Sequence, residues 1–155
     1  MNLTFLPVPT DSVDGYRRGA ADANGQSPER CTITSDGFQC RHCLSYIPVG
    51  APALVLAHRP FADIHPYAEC GPVFVCAQDC AAFSGPGLPE IFAESEMLVR
   101  GYGADERIVY GTGQIAPAGG LQAVCAAILA DEAVAFVHVR SARNNCYQAR
   151  VERAG

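Results

Sequence analysis

Two cysteine couplets are the residues best placed to do chemistry in this chain: Cys40-Arg41-His42-Cys43 and, after 32 intervening residues, Cys76-Ala77-Gln78-Asp79-Cys80. Four thiolates from two short turns can close a tetrahedron around a metal, because each close pair fixes two ligands at little loop-closure cost. The C-x2-C…C-x3-C pattern therefore predicts zinc on Cys40, Cys43, Cys76 and Cys80. Four sulfur ligands leave no position for water or substrate, so such a zinc is structural and not hydrolytic. His42 lies inside the first couplet and could replace a cysteine, but the expectation is an exposed residue of the turn. The competing chemistry is that of a thiol–disulfide oxidoreductase using Cys40 and Cys43. Such dithiols gain reactivity at a helix N-terminus, and Pro48 and Gly50 leave little room for that helix. Cys70 is close enough in sequence to compete as a ligand. Cys31 and Cys146 are expected to be structural, and Cys125 a core residue.

Arginines beside apolar runs form a second constellation: Arg59 after ALVLAH, Arg100 in LVRGY and Arg140 in HVRSA. His138 falls on the same strand face as Arg140 and Phe136, two residues apart each time. If these residues converge, Arg59, Arg100, His138 and Arg140 make a pocket for a small anionic ligand, since guanidinium forks bind carboxylate or phosphate in pairs of hydrogen bonds. The favoured alternative is that each arginine pairs with an acid such as Glu69 or Glu152. No nucleophile elbow, phosphate loop, dinucleotide fingerprint or H-E-x-x-H helix is present, so the sequence names no reaction and leaves open whether the chain is an enzyme.

The elements that must position these groups are mostly short strands. Ala53–His58 and Pro72–Cys76 read as buried strands, and Met97–Tyr102 with Arg107–Gly113 as a hairpin around Gly103-Ala104-Asp105. Between Gly120 and Asp131, apolar Leu121, Val124, Cys125, Ile128 and Leu129 follow helical spacing and put one oily stripe against a sheet. Ala133–Arg140 and Cys146–Glu152 read as further strands. The sum is an α+β fold: mostly antiparallel sheet, one clear amphipathic helix at about residues 120–131, and a zinc-knuckle-like pair of turns. Residues 1–155 read as a single domain, with 1–30 a loosely structured N-terminal arm that could hold a helix.

The 155 residues carry a net charge of −5, which argues against nucleic acid or an anionic membrane as partner, since both need a basic surface. MNLTFLPVPT has neither a cationic start nor an apolar run, so the chain is expected in the cytoplasm. In that reducing compartment eight cysteines mean metal or redox chemistry and core packing, not a disulfide framework. Nothing in the sequence sets the oligomeric state.

Four blocks in order, CRHCLSYIPVGAPALVLAHRPF, HPYAECGPVFVCAQDC, LVRGY and VAFVHVRSARNNCYQARVER, resemble a bacterial family catalogued as domain of unknown function 1203. The resemblance runs roughly from Cys40 to Arg153. It matches Cys40, Cys43 and Cys80 to family cysteines, and a histidine often stands where this chain has Cys76. Zinc exchanges those two residue types readily, so the resemblance implies a metal ligand at Cys76 and weighs against a disulfide. It implies no reaction.

Overall fold

A computed structural model describes residues 1–155. In chain order the elements are β1 (Leu3–Leu6), α1 (Thr10–Arg17), β2 (Glu29–Thr32), β3 (Pro52–His58), β4 (Gly71–Cys76), β5 (Met97–Tyr102), β6 (Gln114–Ala116), α2 (Leu121–Leu129), β7 (Phe136–Ser141) and β8 (Tyr147–Arg153), with a single 3-10 turn at Glu90–Phe92. They build a five-stranded sheet of order β1-β8-β7-β5-β6 and a three-stranded sheet of order β2-β3-β4. Every strand pair is antiparallel, so the fold is of the α+β class expected.

Alternation along the central strands gives the large sheet two unlike faces. Val99, Val137, Val139, Ala149 and Val151 point to one side and pack with Leu121, Cys125, Ile128 and Leu129 of α2 in the larger core. Helix and sheet approach closely at Gly101, where a Cβ would stand 3.0 Å from Ile128 and 3.1 Å from Val134. The opposite face carries Arg100, Tyr102, Phe136, His138, Arg140 and Arg150, and the register places Arg100 and Arg150 on either side of His138. A bulge between Val139 and Arg140 puts Tyr147 opposite Arg140. It thereby turns Tyr147 away from the α2 side, to which simple alternation with Ala149 and Val151 would assign it.

The smaller sheet has its own core, in which Leu54, Leu56, Val73 and Val75 meet Val13 of α1 and Cys40. The two sheets are tied through the segment joining β3 to β4. Phe61 packs edge-on against both Tyr102 and His138, and Glu69 bonds Arg100 and Arg140.

The expected hairpin is shorter than read. Ile108 bridges Tyr102 antiparallel across the Gly103-Ala104-Asp105 turn, residues 110–113 then turn away, and the strand paired with the rest of β5 on that side is β6. Thr112 explains the change: its hydroxyl accepts the Gly101 N–H at 2.9 Å and donates to the Val109 carbonyl at 2.6 Å, competing with ladder pairing.

Candidate metal centre

Cys40 and Cys43 lie in a small hairpin closed by an antiparallel bridge between Gln39 and Tyr46. The Cys40 N–H donates to the Ser45 carbonyl at 2.9 Å, and the Leu44 N–H to the Cys40 carbonyl at 3.0 Å. Turning the chain this tightly puts Leu44 at φ 50°, in the left-handed region. The hairpin sits on the free edge of β4, where Cys40 bridges Phe74 and the Arg41 N–H donates to the Phe74 carbonyl at 3.0 Å. Pairing along that edge carries the couplet to the end of the strand, which is Cys76. A bend at Ala77 and Gln78 then returns Cys80.

The sulfur atoms of Cys40, Cys43, Cys76 and Cys80 all lie within 4.8 Å of one another. Cys40 and Cys80 are 3.9 Å apart, far beyond a disulfide bond, and all eight cysteines are free. Four sulfurs at these distances could hold one metal ion. Cys70 does not join them; its exposed thiol faces Asn24 Oδ1 at 3.7 Å. Cys125 is fully buried under α2, as its helical position predicts.

The thiols of Cys40, Cys76 and Cys80 are shifted in different directions. Hydrogen bonds from the Cys43 and Cys76 side chains pull the Cys40 thiol far below its usual range, against the cost of burial. Those same bonds push Cys76 up. Cys80 is pushed up to about 11 by burial and by the charges of Cys40 and Cys43, while Arg17 pulls the other way.

Three residues around the sulfurs complete the arrangement. The Cys76 and His42 N–H groups donate to Cys40 Sγ at 3.2 and 3.4 Å. Arg17, in the last turn of α1, donates from Nη2 to Cys80 Sγ at 3.2 Å and from Nε to the Cys76 carbonyl at 3.1 Å. His42 is 1% exposed, contrary to the exposed turn residue expected. Its Nδ1 is 3.1 Å from Cys80 Sγ and its Nε2 is 2.9 Å from Thr10 Oγ1. A proton on Nδ1 makes it the donor to Cys80 and leaves Nε2 to accept the Thr10 hydroxyl. His42 thus braces Cys80 from outside the four-sulfur group.

A family model described as protein of unknown function (DUF1203) matches residues 37–153. The chain belongs to this family. All four cysteines and His42 fall within the matched span, whereas Thr10 and Arg17, which close over Cys80, lie before it. No curated protein and no solved structure matches the chain. No helix is long and apolar enough to cross a membrane.

The arginine constellation separates into two places. Arg100 donates from Nη2 to both Glu69 oxygens, at 3.0 and 3.1 Å, and Arg140 Nη2 is 3.1 Å from Glu69 Oε2. Glu69 thus occupies the position an external carboxylate would take between them. His138 is fully buried beside this trio, and neither ring nitrogen has a hydrogen-bond partner. Burial and the nearby charges of Arg140, Arg150 and Arg100 hold its pKa well below the usual histidine value. Arg59 stands elsewhere. It lines a cleft of about 610 Å³ together with Leu6, Val8, Thr10, Phe61, Tyr147 and Arg150.

Thr10, Arg17 and Arg150 carry no signal for these roles in the sequence. The one available hint is Asp14 three residues before Arg17, the spacing of a helical ion pair, observed at 3.2 Å.

Proposed function

We propose that the protein is a ligand-binding module whose small sheet, N-terminal arm and cysteine hairpin are tied together by one structural zinc. The reading is carried by the sulfur geometry. Thiolates at about 2.3 Å from a tetrahedral zinc stand about 3.8 Å apart, close to the 3.9 Å between Cys40 and Cys80. Cys40, Cys43, Cys76 and Cys80 would fill all four positions. The metal then contributes folding free energy and no substrate chemistry. A cytoplasmic setting, where thiols are kept reduced, suits such a centre. The binding face is the cleft at Arg59, which lies against the same N-terminal arm that covers Cys80.

Elemental analysis of protein purified without added metal should find about one zinc per chain, and the four thiols should resist alkylation until a chelator is added. Cys40→Ser should lower unfolding free energy by on the order of 3 kcal/mol or more. Iron in the centre would replace zinc in this proposal. A folded, metal-free protein with four reactive thiols, or with a reversible Cys40–Cys43 disulfide, would refute it.

A further inference from the structure

We infer that the cleft between the N-terminal arm and the exit of β3 binds a small organic monocarboxylate with an apolar body, its carboxylate held by Arg59 and Arg150. This inference rests on the ligand-binding half of the function proposed above and not on the metal. Its main observation is Arg59. Every other arginine that is not exposed, namely Arg17, Arg41, Arg100, Arg140 and Arg150, has a hydrogen bond or ion pair. Arg59 has neither, and its Nε is buried without a partner. That one nitrogen has lost water and gained no acceptor, a cost to the fold that an anion held at Arg59 would reduce.

Arg150 supplies the second fork. Its Nε donates to Glu152 at 2.6 Å and its guanidinium lies 3.6 Å from the centre of the Phe136 ring, which fixes the plane while leaving both terminal nitrogens without a protein partner. Glu106 is the one carboxylate on the cleft wall, and it is already engaged. It accepts the Ala62 N–H at 2.7 Å and the Asp63 N–H at 3.3 Å, and contacts His65 Nε2 at 3.3 Å. Arg150 already shares its charge with Glu152, so Arg59 is the one guanidinium of the cleft with no acid of its own, a single charge that a monocarboxylate neutralises and a phosphate dianion overshoots.

The remaining wall selects for the body of the ligand. Leu6, Val8, Pro9, Phe61 and Tyr147 supply apolar surface, the usual composition of a small-molecule site with a few polar anchors. The wall is held in place before any ligand arrives. The Val8 N–H donates to the Arg41 carbonyl at 2.8 Å, and Thr10 is bonded to His42 at 2.9 Å. Fixing the arm in advance lowers the entropy cost of binding.

The test uses the full chain with benzoate and hexanoate as probes, and benzamide and inorganic phosphate as controls, followed by calorimetry and by amide chemical shifts. Saturable binding of at least one carboxylate is expected, with shifts at Arg59, Phe61 and Tyr147. Benzamide and phosphate should bind about tenfold more weakly or worse, and Arg59→Gln should lose about tenfold in affinity where the exposed Arg143→Gln loses none. Failure of both carboxylates below about 10 mM, benzamide or phosphate binding as well as they do, or shifts that map away from the cleft would each overturn the inference. The shift map on the unaltered chain decides the matter even if Arg59→Gln does not fold. Metal content measured on the same sample separates the two readings. Zinc without carboxylate binding sinks the cleft alone, and carboxylate binding without zinc sinks the metal alone.

Discussion

Cys80 is the cysteine whose surroundings say most about how the centre works. Its sulfur faces Arg17 at 3.2 Å and His42 at 3.1 Å, so two N–H groups are available to spread its charge. Four thiolates around a divalent ion carry a net charge of −2 by simple addition, and donors of this kind are what make that charge tolerable in a partly buried site. Arg17 does this while also bonding the Cys76 carbonyl, which locks the far couplet to the end of α1. In the zinc-bound form proposed above, Arg17→Met should therefore keep the metal stoichiometry but release metal to a chelator about tenfold faster or more. Unfolding free energy should fall by about 1–3 kcal/mol, the loss of a charge-assisted hydrogen bond to a half-buried acceptor. Unchanged release kinetics would show that the guanidinium packs against the sulfur without stabilising it.

At the scale of the element, the cysteine hairpin sets backbone strain against burial at Leu44. A left-handed leucine costs about 1–2 kcal/mol, and glycine there would recover most of it at an entropic cost of about 0.5–1 kcal/mol. The side chain, however, is 3% exposed and belongs to the larger core, and emptying such a site costs about 2–5 kcal/mol. Burial wins. Leu44→Gly should destabilise by about 1–3 kcal/mol in denaturant titration, and a stabilised variant would mean that the turn is more strained than the pocket is well filled. The same hairpin ties the first couplet to other parts of the chain: the Val8 N–H donates to the Arg41 carbonyl and the Phe83 N–H to the His42 carbonyl, at 2.8 and 2.9 Å.

The whole molecule stores a pH dependence where its two sheets meet. His58, its ring tilted against that of Tyr147, has its pKa lowered to about 4 by burial and then by Arg41. His138 is lowered well below the usual value by burial and three arginines, with Phe61, Tyr102 and Tyr147 around its ring and Glu69 as the nearby acid. Both are neutral in the fold, while in the unfolded chain each takes a proton near pH 6.5. Between those values the unfolded state binds more protons, so stability rises with pH in this window. It is fully present above about pH 6.5 and is lost as pH falls toward 4, with His58 alone worth at most about 3 kcal/mol. Denaturant titrations at pH 7, 5.5 and 4 should show this loss, and His58→Gln should flatten part of it. A level profile over that range would mean that water reaches both rings.

By themselves the residues determined what repeats over a few positions. The couplets place two thiols close together because three or four bonds along a chain cannot separate them far, and the 3.6-residue stripe from Leu121 to Leu129 allows no element but a helix against a sheet. These five strands were legible for the same reason, since β3, β4, β5 and β7 each carry an apolar run and β8 alternates apolar with polar residues. What joins distant segments was not legible. Nothing local links Arg17 to Cys80 across 63 positions, or assigns Glu69 to two arginines while Arg59 has none. The bulge that turns Tyr147 toward Arg140 depends on pairing between β7 and β8, not on a residue type. Side-chain partners are set by strand order and by which sheet face meets which loop; those are properties of the packed chain, in which burial decides which charges must find each other.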